Sequence, residues 1–134
     1  MGTHDHSLEV TLNAIGWVRH DAAEVPRHWT VSDLAGDLDI RPDLAAGLAD
    51  ITAGQKIMVL FLFDRSPPFS SDQLTQETRH SRAIKGVFSI CSPRRPNPIG
   101  LSVVEVLAKK GTRLRVRGLD MFDGTPILDI KPAF

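Results

Sequence analysis

The sequence has a single cysteine, Cys91, which excludes an intrachain disulfide framework and any zinc site built on a cysteine pair. No stretch approaches the ~20 consecutive apolar residues that a membrane-spanning helix needs. The opening MGTHDHSLEV lacks the basic and apolar regions of a secretory leader, so a cytoplasmic protein with no membrane partner is the expectation. An excess of charge is missing too, since 16 Lys and Arg balance 16 Asp and Glu. Proteins held on nucleic acid by phosphate contacts usually carry a basic surplus. Locally, Arg79, His80, Arg82, Lys85, Arg94 and Arg95 do cluster, and this reads either as a solvated basic face or as the edge of a polyanion site. The chain contains no G-x-G-x-x-G, no P-loop lysine motif and no G-x-S-x-G elbow. Its Ser, His and Asp residues show no spacing that links them into a triad. His4 and His6 have no third ligand beside them, so no metal site is predicted.

What is present is the make-up of an ordinary globular domain, 42% hydrophobic and 24% charged. A chain of this length reads as one domain that can bury a core without staples. Residues 1–8 read as a disordered lead-in and 9–134 as the domain. Apolar residues alternate with polar ones over 9–19, 31–40, 100–108 and 112–119, the period of a strand with one buried face. KIMVLFLF, residues 56–63, is almost continuously apolar and predicts a strand buried on both faces. Segments 84–90 and 125–131 add two more strands, and Lys109-Lys110-Gly111 joins the clearest hairpin. Pro42 opens one short helix, with Leu44, Ala45, Leu48 and Ile51 at helical spacing and Gly54 at its end. Short strands at regular intervals with long polar loops point to a mainly-β barrel or sandwich.

One stretch stands apart from this pattern. Between apolar segments lies SPRRPNPIG, residues 92–100, with three prolines that remove three backbone donors and fix three φ angles. Each proline also restricts the residue before it, so Ser92, Arg95 and Asn97 are driven to extended conformations. The loop reads as a stiff ribbon, either the wall of a binding site or a rigid crossover with solvated arginines. Three other polar segments are candidates for a site: Pro26-Arg27-His28-Trp29, Asp64-Arg65-Ser66 at the end of the apolar strand, and the sharp turn 120–126 with Asp120 and Asp123. Each has a plain alternative as a surface loop or turn. Cys91 reads as a buried apolar residue or, beside a cation, as a reactive thiol. These residues name no reaction by themselves.

RPNPIGLS (95–102) and DGTPILDIKP (123–132) closely resemble the two signature blocks of the TsaA/TrmO family, and the opening NAIGWVR and the strand VLFLF are similar as well. The resemblance covers about residues 10–132. It implies a small β-barrel that binds S-adenosylmethionine (SAM) and a homodimeric methyltransferase. The reaction it implies is methylation of N6 of threonylcarbamoyladenosine 37 in tRNA. It further implies that the cofactor is held by Pro26, Arg27, His28, Asp64, Arg65, Cys91, Leu101, Asp123, Gly124, Thr125 and Pro126, with Arg95 and Asn97 shaping the pocket. SAM carries no phosphate, so the absence of a glycine-rich phosphate loop is no objection. The chain departs from the family pattern at Cys91, where Arg is usual, at Asp64, where His is common, and at Ala133, where Tyr is usual. Bacterial tRNA-modifying members also carry a further C-terminal domain. These departures leave two other readings open: a methyltransferase with a small-molecule acceptor, and a non-catalytic SAM-binding module. No catalytic base is assigned.

Overall fold

The structure, a computed structural model, describes residues 8–79 and 81–134. The expected lead-in over residues 1–7, the histidines within it, and His80 of the basic cluster lie outside the described residues. Among the described residues eight strands are formed: β1 (Gly16–Arg19), β2 (Ala35–Ile40), β3 (Lys56–Leu62), β4 (Thr75–Glu77), β5 (Ile84–Gly86), β6 (Ile99–Lys110), β7 (Arg113–Arg117) and β8 (Pro126–Pro132). Six of them close into an antiparallel barrel in the order β1-β2-β7-β6-β3-β8, and β8 returns to β1 with Ile127 opposite Gly16. β4 and β5 form a separate two-stranded ribbon.

The alternation in the sequence sets this architecture. In β2 and β7 every second residue is buried, Leu38 and Ile40 on one strand and Leu114 and Val116 on the other. They meet Val18 of β1, Ile57, Val59 and Phe61 of β3, Val104 and Val106 of β6, and Ile127 of β8 in one apolar core. Side chains fill the interior of so narrow a barrel completely. Register shifts at Leu60/Phe61 and at Val106/Ala108 bend the long strands as closure requires.

Several elements differ from the sequence-based expectation. Residues 56–63 do form a strand, but not one buried on both faces: Ile57, Val59 and Phe61 point inward, while Met58, Leu60 and Leu62 are only half-buried outside. A closed sheet has just one interior, and the outer apolar residues pair across to β6 instead. The helix opening at Pro42 is a 3-10 segment that stops at Leu48 and does not continue to Gly54. Its only buried residue is Leu48, with Leu44 partly buried against the core, so a short apolar edge anchors it and tighter turns suffice. The segment 84–90 pairs only through Gly86 and then turns as a 3-10 helix over Val87–Ser89. The first strand is shorter than 9–19, beginning at Gly16, with Leu8, Val10 and Leu12 exposed. No helix among the described residues is long and apolar enough to cross a membrane.

The topology also sorts the loops. Antiparallel order places the C-terminal ends of β1, β3 and β7 and the N-terminal ends of β2, β6 and β8 at the same end of the barrel. The connections there are 20–34, 63–98 and 118–125. The opposite end has the 3-10 segment and the tight turn at Gly111-Thr112.

Candidate functional site

All four polar segments singled out in the sequence therefore emerge at one end of the barrel, and hydrogen bonds join them. The Arg65 guanidinium donates to the Asp123 carbonyl at 3.2 Å and lies 4.7 Å over the Phe122 ring, tying the β3 loop to the 120–126 turn. The His20 backbone N–H donates to the Asp123 carboxylate at 3.0 Å. The His20 ring donates from Nε2 to the Met121 carbonyl at 2.8 Å and accepts the Ala22 N–H at Nδ1. The turn itself needs Gly124, whose φ of +83° lies in the left-handed region.

The proline-rich loop is stiff for two reasons. Proline geometry is one, and a set of internal bonds is the other. Arg95 donates from Nη1 to the carbonyls of Ile90 at 2.9 Å and Ser92 at 3.2 Å, so its side chain fastens the loop to itself. The Ser66 hydroxyl reaches the Pro93 carbonyl and the Phe63 N–H reaches the Pro98 carbonyl. From the β4–β5 ribbon, the Gln76 side chain holds the Arg94 carbonyl at 2.7 Å. At the root of the loop, Gly100 faces Phe61 and Phe63, which pack edge to face; a Cβ there would collide with the Phe61 ring.

Two concavities open between these loops. A cavity of about 330 Å³ is walled by Phe61, Phe63, Met121, Phe122 and Pro93, with Asp64, Arg65, Asp120 and Thr125 among its polar groups. A wider groove of about 760 Å³ is bounded by Arg27, His28, Thr30, Arg79, Ile90 and Cys91. Pro93 and Arg94 stand on the ridge between them and line both. Of the residues that the resemblance implies, Asp64, Arg65 and Thr125 thus border the cavity and Arg27, His28 and Cys91 the groove. Pro26, Asn97, Asp123, Gly124 and Pro126 build the loops behind them. Arg95 is turned into its own loop. Leu101 lies on the outer face of β6, opposite Leu60 and 47% exposed.

Asp120, one of the two carboxylates of the 120–126 turn, is the carboxylate set deepest at this end. The Ser102 hydroxyl donates to its Oδ1 from inside the barrel. Burial pushes its pKa above the usual carboxylate range, while the Ser102 bond, the nearby His28 and the Trp29 backbone N–H pull it back. Ser102 and Thr125 are the buried polar side chains among the described residues, and both belong to this end. The signal for Ser102 was present in the alternation. Gly100, Ser102, Val104 and Val106 share the inward face, and a hydroxyl on such a face needs a buried partner.

Comparison with known proteins fits this geometry. Over 126 residues the chain is 38% identical to a probable S-adenosyl-L-methionine-binding protein of Archaeoglobus fulgidus, a match that covers 92% of this chain and 34% of that protein. Over 76 residues it is 41% identical to the mouse tRNA (adenine(37)-N6)-methyltransferase, covering 57% of this chain and 18% of that one. The crystal structure of TrmO from Pseudomonas aeruginosa superposes with a TM-score of 0.74 at 30% identity, covering 95% of this chain and 57% of that chain. The chain thus spans only part of each relative's length. Residues 18–134 match the family model of the tRNA-methyltransferase O N-terminal domain, and the chain belongs to that family.

Proposed function

We propose that this domain is a SAM-dependent methyltransferase that methylates N6 of threonylcarbamoyladenosine 37 in tRNA. Family membership supports the reaction class. The observation that carries the reading is the pair of concavities meeting at Pro93 and Arg94, one smaller and mostly apolar, the other edged with cations.

The residues present fit SAM. The cavity has the size of a small-ligand site. Phe61, Phe63, Met121 and Phe122 offer it an apolar and aromatic surface suited to an adenine, and Asp64 offers a carboxylate to a cationic group. Arg27 brings a guanidinium fork suited to a carboxylate. When bound, SAM supplies a methyl group already activated for transfer. The protein's task is then alignment of donor and acceptor, which the braced loops are built to provide. On the acceptor side, Arg79 and Arg94 along the groove outnumber the single carboxylate of Glu77, a local charge balance suited to an RNA backbone despite a net charge of zero. This reading places the protein in the cytoplasm.

A homodimer is the accompanying proposal. On the outer wall of the barrel, β3 and β6 pair Met58 with Val103, Leu60 with Leu101 and Leu62 with Ile99. This apolar stripe contrasts with the outer faces of β2 and β7, where Asp37 and Asp39 meet Arg115 and Arg113.

The reaction is tested by incubating the protein with methyl-labelled SAM and tRNA bearing threonylcarbamoyladenosine, then digesting to nucleosides. Label in the methylated nucleoside is the expected result. SAM binding in calorimetry with label in no nucleoside would overturn the tRNA reading and favour a small-molecule acceptor or a binding module.

A further inference from the structure

We propose that Asp120 is the proton acceptor for the nitrogen that is methylated. The inference rests on the methyltransferase reading and adds the catalytic group that reading lacks.

The chemistry demands such a group. In threonylcarbamoyladenosine N6 carries a carbonyl, which delocalises its lone pair, so the nitrogen is a poor nucleophile while it holds its proton. In the balanced step, Asp120 takes the N6 proton as the nitrogen's electron pair forms the N–CH3 bond. The S–CH3 bond breaks, and its pair stays on sulfur as a neutral thioether. Asp120 returns the proton to water after product leaves.

Several other titratable groups at this end are less suited. Asp64 is exposed, and Asp123 is exposed and accepts the His20 N–H. Both His20 ring nitrogens are engaged, by the Met121 carbonyl and the Ala22 N–H. His28 uses Nδ1 for the hydroxyl of Thr30 at 2.7 Å and for its N–H. Arg65 and Arg94 line the cavity as permanent cations. Asp120 is different on three counts. It lines the apolar cavity, and a fully buried hydroxyl holds one of its oxygens in place. It is also partly desolvated, which makes its carboxylate a stronger base than one in water. Efficient proton transfer favours a catalytic pKa raised toward the working pH. His28, facing it from the 20–34 loop, stabilises the charged form when protonated.

The test compares Asp120→Asn with the unaltered full chain. Asparagine keeps the shape and accepts the Ser102 bond but takes no proton. The expected result is SAM affinity in calorimetry within about twofold of the unaltered protein and methyl transfer to tRNA slower by at least about 10²-fold. The unaltered protein's kcat/KM should rise with pH through an acid limb above the ordinary carboxylate range, and the variant should lose that limb. Methyl transfer by Asp120→Asn within about threefold, with the limb intact, would overturn the inference while leaving the methyltransferase reading standing. An unaltered protein that binds SAM but methylates no tRNA would instead overturn the reading beneath it. Should Asp120→Asn fail to fold, Ser102→Ala decides. Loss of the hydroxyl removes a bond that lowers the Asp120 pKa, so the acid limb should move to higher pH, and an unmoved limb would overturn the proposal.

Discussion

At the scale of single residues, Asp120 joins stability and chemistry in opposite senses. Its carboxyl is harder to ionise in the folded protein than in the unfolded chain, because burial opposes the charge more than Ser102, His28 and the Trp29 N–H favour it. The folded state therefore holds its proton to higher pH than the unfolded state. The stabilisation from that proton is full below the unfolded pKa and is lost as pH rises through the folded one. Above the folded pKa the protein carries a charged, partly desolvated group as a cost. Asp120→Asn should therefore melt no lower than the unaltered protein at pH 7, and any advantage should shrink as the pH is lowered toward the unfolded carboxyl value. Thermal unfolding followed across that range checks this; a variant markedly less stable at pH 7 would mean that the charge itself holds the turn. A residue that costs stability and speeds a reaction is the usual signature of a working site.

At the scale of elements, the proline-rich loop shows how local stiffness becomes a wall. Proline restricts φ along 93–98, but the loop's position relative to the barrel comes from Arg95, Ser66, Gln76 and the Phe63 N–H. The arginine does not reach into the cavity; it bonds carbonyls five and three residues earlier in the chain. Arg95→Ala should cost about 1–3 kcal/mol, the range for bonds from a charged donor, and lower the melting temperature accordingly. SAM affinity should weaken with it, because Pro93 and Arg94 line both concavities. Melting and calorimetry on the variant test both parts. An unchanged melt would show that proline alone holds the loop.

At the scale of the whole molecule, the barrel has two outer surfaces of different character. Cross-strand ion pairs cover β2 and β7, and being half-exposed they add little stability. The β3–β6 stripe leaves Leu101 and Ile99 47% and 37% exposed. Burying such a patch against a second copy is favourable by about 25 cal/mol per Å² removed from water. Leu101→Glu should therefore yield a monomer in light scattering at a concentration where the unaltered protein is a dimer. Its circular dichroism should not change, since the side chain supports nothing inside the barrel. A monomeric unaltered protein would sink the dimer.

What the sequence by itself determined were the period-two strands and the chemistry-bearing loops. The alternation over 35–40, 100–108 and 113–117 is a local property: each strand must present one apolar face, and that face reads directly from residue order. The stiffness of 92–100 is local too, because each proline acts on its own φ and on the residue before it. Tertiary structure decided the rest, because it depends on partners distant in sequence. The run 56–63 had no local mark that its outer side chains would meet Val103, Leu101 and Ile99 rather than a covering layer. The helix at Pro42 had the right spacing, yet with only Leu48 fully buried it stayed a 3-10 segment. Arg95 reads from the sequence as shaping a pocket wall or as a solvated cation, and only the fold shows the carbonyls of Ile90 and Ser92 claiming it. Asp120 passed for a turn residue because its meaning comes from Ser102, 18 positions away on another strand. The pairing of β6 with β7, in register at Glu105 and Arg117, brings those two together, and the desolvation that results is a property of the folded molecule.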